Sequence, residues 1–93
     1  MYIFSANATA KKAREDVKEG QHMAFIVYIN FIDLFGAEQL CKIYLMRAGF
    51  TGIEIEKRKL VPSHLVKDER VVTADKAMGE AVKTGYMIQM FDE

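Results

Sequence analysis

The chain has 93 residues, 13 Lys+Arg against 13 Asp+Glu, and 51% hydrophobic residues. One domain with its own core fits that length, and the balanced charge gives no general pull toward nucleic acid or an anionic membrane. A single cysteine, Cys41, excludes a disulfide-rich secreted scaffold. No signal-peptide pattern is visible and no apolar run nears the ~20 residues a spanning helix needs, so a soluble cytoplasmic protein is the expectation.

Tyr2–Phe4 reads as a short strand. Asn7 or Thr9 can cap a helix reaching Glu19, with Gly20 as its stop. The apolar stripe of that helix is thin: Ala10, Ala13 and Val17. Lys11, Lys12 and Arg14 lie in its first half and Glu15, Asp16 and Glu19 in its second, against the helix dipole. Such a helix needs tertiary support.

His22–Ile32, HMAFIVYINFI, is apolar on both alternating sets. Met23, Phe25, Val27, Ile29 and Phe31 form one, and Ala24, Ile26, Tyr28, Asn30 and Ile32 the other. A strand with one wet face alternates more cleanly, so this one reads as central, with both faces needing cover.

Asp33 is a suitable N-cap for a helix to Ala48, stopped by Gly49. Ala37, Leu40, Cys41, Tyr44, Leu45 and Ala48 follow the spacing of a core-facing stripe, while Ile43 and Met46 lie off it and suggest a second contact face. Thr51–Val61 reads as a strand whose alternation fails at Lys57 and Lys59, through overhang or a bulge. Pro62-Ser63 marks a turn or a sheet edge. His64–Val72 reads as a weak strand, or as a loop at its charged centre. Thr73 can cap a third helix along Ala74, Ala77, Met78, Ala81 and Val82, ended by Gly85, and Tyr86–Phe91 reads as the last strand.

From residue 22 this order is βαββαβ. The predicted fold is therefore α+β, a ferredoxin-like antiparallel sheet over residues 22–93 with both helices on one face, plus a strand–helix extension over residues 1–21. One sheet face would then be bare and apolar, which suggests a partner. The predicted protein interface is Phe25, Val27, Ile29, Phe31, Tyr86, Ile88 and Met90. A doubly wound sheet, or cover by the N-terminal segment, is the competing arrangement.

No motif for catalysis, metal or nucleotide binding is present, and no cofactor is implied. Cys41 on the core stripe reads as a packing residue. His22 and His64 lack metal-ligand spacing. Lys11, Lys12 and Arg14 with Lys57, Arg58 and Lys59 are a candidate basic patch, but neutral net charge and missing RNP-type aromatics disfavour nucleic acid.

Asn30-Phe31-Ile32-Asp33-Leu34-Phe35-Gly36-Ala37, followed by Ala48-Gly49-Phe50 and Ile53-Glu54-Ile55, resembles the first βαβ of ACT-type regulatory domains. Phe35 stands where that pattern has proline, and the second half of the chain has no counterpart. The resemblance implies sheet-mediated dimerisation and a small-ligand site near Asp33 and Gly36. The sequence thus favours a non-enzymatic interaction or regulatory module, a homodimer or an inhibitor or accessory of a larger protein. A nucleic-acid binder and an ACT-like sensor are the alternatives.

Overall fold

The computed structural model describes residues 1–14 and 16–92. The elements run β1 (Tyr2–Ala10), β2 (His22–Ile29), α1 (Leu34–Arg47), β3 (Phe50–Leu60), α2 (Ser63–Val66), α3 (Glu69–Ala74), α4 (Lys76–Thr84) and β4 (Tyr86–Asp92). They build an α+β structure around one antiparallel sheet of order β3-β1-β2-β4.

This order corrects the ferredoxin-like expectation. β1 is a full central strand, hydrogen-bonded to β2 on one side and β3 on the other. Residues 1–10 are therefore the middle of the sheet and not an appendage. The predicted first helix is absent: Asn7–Ala10 belongs to β1, and residues 11–14 and 16–20 are not helical, while Glu15 lies outside the described residues. The alternation that makes β1 a strand is Phe4, Ala6, Ala8, Ala10 inward against Ser5, Asn7, Thr9 outward. Alanine is a poor strand former, so tertiary pairing decides its conformation. His64–Val72 is likewise not a strand but falls in the short helices α2 and α3. α3 takes in Thr73, and α4 starts later, capped by Asp75, whose carboxylate accepts from Met78 N at 3.0 Å.

β2 and β3 both run antiparallel to β1, so they are parallel to each other and α1 joins them across it. α2–α4 then carry the chain from the β3 edge to the β4 edge over the opposite face. Helices on both faces correct the one-sided expectation and agree with the doubly wound alternative in that respect. Beneath α1, Phe4, Met23, Phe25, Val27 and Ile29 pack with Ala37, Cys41 and Leu45, and Val17 from the β1–β2 connection joins them. The second core is smaller: Met1, Val61, Met78 and Ala81 are buried, with Ile3, Tyr28 and Met87 of the sheet half-buried against them. It covers one end of its face. Toward the other end the face presents Ser5, Asn7, Thr9, Ala24, Ile26, Gln89 and Phe91.

β3 carries the bulge that its sequence suggested. Ser5 pairs with Lys57 but Ala6 with Ile55, leaving Glu56 as the extra residue, and a second shift falls between Asn7 and Thr9. The shift sends Lys57 and Lys59 away from α1. It sends Arg58 toward α1, where it pairs with Glu38.

Candidate interaction surface

The predicted interface does not survive as a surface. Phe25, Val27 and Ile29 are at most 1% exposed, sealed under α1, and Ile88 packs against the same core. The set chosen as bare is the set that α1 covers. Tyr86 and Met90 are partly open at the sheet edge, Tyr86 stacking on Tyr44 of α1 with centroids 4.0 Å apart. Phe31 is the remaining member, 40% exposed beyond the end of β2.

Phe31 leads to a different apolar surface. After β2 the chain turns through Asn30–Asp33 into α1. Asp33 accepts from Gly36 N at 2.8 Å, which caps the helix. The Phe31 ring lies so close over Gly36 that a Cβ there would collide with it. A capped helix start and a ring clamped on a glycine hold this turn in shape. It displays Ile32 at 90% exposure and Phe35 at 73%, with Leu34 partly open beside them.

The surface continues along α1. At about 100° per residue, Phe35, Gln39, Ile43 and Met46 fall within roughly 80° of one another, almost opposite Ala37, Cys41 and Leu45. All four are exposed. α1 is thus apolar on two opposite sides, one in the core and one in solvent. A surface helix ordinarily has one apolar stripe and a polar remainder. Ile43 and Met46 were readable as a second face because they fall off the core spacing. Phe35, Ile32 and Leu60 were missed; the available signal was a bulky apolar pair, Ile32 and Phe35, bracketing a helix start where polar residues are usual.

Next to this turn two grooves open. One, of about 410 Å³, is lined by Phe31, Ile32, Leu60, Val61 and Pro62 among others. The second, of about 670 Å³, lies between α2, α3 and α4, lined by Val66, Val72 and Val82 among others. Met1, Asn30 and Ser63 border both. Apart from the polar Asn30, Ser63, Lys67, Glu69 and Thr73, their walls are apolar.

The candidate basic patch is not brought together. Lys57 and Lys59 stand on the second face, opposite Ser5 and Ile3, while Arg58 is on the first and paired. Lys11 lies six residues beyond Ser5 along the β1 direction, on the order of 20 Å away. Arg14 is engaged structurally: its guanidinium lies 5.7 Å from the Phe50 ring centroid and donates to the Ala48 carbonyl.

The candidate ligand residues Asp33 and Gly36 are accounted for by capping and by the Phe31 contact. Cys41 is fully buried and its thiol is pushed up to about 12, chiefly by burial and then by the Glu38 carboxylate, so it is no nucleophile at neutral pH. Burial, and secondarily the Asp75 carboxylate, raise the Tyr28 phenol. His22 Nδ1 lies 3.2 Å from the Thr9 hydroxyl on the open part of the second face, and His64 is in α2. Among the described residues no cluster of His, Cys, Asp or Glu could hold a metal, and no helix is long and apolar enough to cross a membrane. Comparison with protein-family models, with curated proteins and with solved structures returned no match.

Proposed function

We propose that this chain is a non-enzymatic protein-interaction module that binds a larger protein, as an inhibitor or accessory, through the outward side of α1 and the turn before it. The observation that carries the reading is the double-sided helix. Phe35, Ile43 and Met46 are 73%, 38% and 55% exposed on the side opposite the core, and Ile32, at 90%, extends the patch. Large apolar side chains exposed together on one side of a helix are what a docking site presents. Glu38, Lys42 and Arg47 of the same helix flank the strip and Gln39 lies within it, so the apolar residues have polar neighbours as interfaces do.

The geometry favours this over the other readings. A nucleic-acid surface would need cations gathered on one face, and here they are divided between two faces and two ends of the sheet. A ligand sensor at Asp33–Gly36 would need free helix-entry donors, and the Gly36 N–H is already taken by Asp33.

The test compares the native chain with Phe35→Asp/Ile43→Asp as bait in extracts of the source cell. Neither side chain supports the core, so both baits should be equally folded by circular dichroism. A partner retained by the native chain should be lost on the double variant and kept on Lys57→Ala/Lys59→Ala. Equal recovery on native and double-variant bait would refute the assignment of this surface.

A further inference from the structure

We propose that β4 is a self-association edge, at which two copies of this chain pair antiparallel about a two-fold axis through Gln89 and join their sheets into one of eight strands. The inference goes beyond the docking surface on α1 and uses a different part of the molecule.

The sheet has two edges, and they are treated differently. β3 has the features that keep an edge strand from pairing: five charged residues in eleven (Glu54, Glu56, Lys57, Arg58, Lys59) and two register shifts that break its regularity. β4 has neither. Its register with β2 is unbroken from Tyr86 opposite Ile29 to residue 92 opposite Met23. No charge and no proline lies between Tyr86 and Phe91. Among the described residues, no strand pairs with its outer side. Tyr86, Met90 and Phe91 remain 37%, 44% and 47% exposed there. A regular edge, apolar and free of charge until its last residue, is a template for another strand.

A second copy is the occupant because β4 is complementary to itself. Residues opposed in an antiparallel ladder point to the same side of the sheet, so a two-fold pairing can be centred only on a residue. Centred on Gln89, the ladder uses the whole strand. Gln89, the one amide between Tyr86 and Phe91, then meets its own copy and can exchange amide hydrogen bonds with it. Ile88 meets Met90, and Met87 meets Phe91, so the half-exposed Met90 and Phe91 both gain an apolar partner. No like charges face one another. The axis stands perpendicular to the sheet, which leaves both α1 helices on the same face and both apolar strips free.

Sedimentation of the native chain from micromolar to near-millimolar concentration should show a monomer–dimer equilibrium. Gln89→Glu and Gln89→Lys each place like charges at the axis, and each should raise the dimer dissociation constant by about tenfold or more. Mixed together, the two variants should form a heterodimer tighter than either homodimer. Gln89→Cys should cross-link to itself under mild oxidation, whereas Thr51→Cys on β3 should not; Cys41 is buried and will not interfere. Unchanged melting temperatures exclude loss of fold as the cause. A native chain that stays monomeric throughout, or a dimer indifferent to both charges at position 89, would overturn the proposal.

Discussion

The two faces of the sheet are built to different standards. Under α1, large side chains interdigitate with no exposure: Phe4, Met23, Phe25, Val27 and Ile29 against Cys41 and Leu45. Phe25 and Phe50 meet edge to face with centroids 4.8 Å apart. Under α2–α4 the buried set is four residues, the six hydrophobic side chains packed against it remain partly open, and two of the three helices are only four and six residues long. The first face therefore carries most of the stability. The second closes the sheet at one end and leaves small polar residues, Ser5, Asn7 and Thr9, to solvent at the other. That open end mixes these with Ala24, Ile26 and Phe91, so it is less apolar than the Met23, Phe25, Val27 and Ile29 set that α1 covers.

The difference can be broken where it is largest. Phe25→Ala should cost about 3–5 kcal/mol in urea unfolding, because it leaves a cavity between two strands and α1 that the closely packed neighbours cannot fill. Met78→Ala should cost about 2 kcal/mol, since the loosely covered second core can relax around the loss. Equal costs would show the two faces to be equally packed. At the helix start between the faces, Asp33→Ala should cost about 1 kcal/mol through loss of the cap to Gly36, measured as a shift in the urea midpoint. Cys41 should resist alkylation in the native chain at pH 8 and react only on unfolding, which a mass-resolved labelling time course will show. Rapid native labelling would mean that α1 lifts from the sheet.

The smallest effect concerns the solvent side of α3. The Arg70 side chain, then its backbone N–H, hold the Asp68 carboxyl below its usual value, and the Arg70 guanidinium lies 3.1 Å from it. A depressed carboxylate adds stability that is present above its unfolded pKa and lost as pH falls through the folded one. Asp68 is partly exposed and Arg70 almost wholly so, so solvent screening should keep the contribution small. Arg70→Ala should move the Asp68 titration upward by NMR while leaving the thermal midpoint at neutral pH nearly unchanged.

Much of the chain was legible where periodicity was strong. β2, α1, β3 and β4 lie within a few residues of their predicted bounds, because each has a long apolar pattern ended by a glycine, a capping aspartate or a proline. The bulge in β3 was legible too, from two lysines out of phase with two isoleucines. β1 was not, since its inward set is largely alanine and its Asn7 and Thr9 resemble helix caps. α2 and α3 were not, since Leu65-Val66 and Val71-Val72 are adjacent pairs on helices too short to show a period. At the candidate site, Phe31 was grouped with a β2 face that ends before it, and Ile43 and Met46 were legible as lying off the core stripe, where they are exposed, but Phe35 was not.

What the sequence determined by itself was the inventory of strongly patterned elements and a surplus of apolar residues beyond one core. Where that surplus lies was decided only by the tertiary structure. Periodicity states which residues share a face, but the neighbours that bury the face come from strand order. Placing β1 in the middle of the sheet and α1 over Phe25, Val27 and Ile29 moved the exposed apolar surface off the sheet face, onto the far side of α1 and the edge of β4.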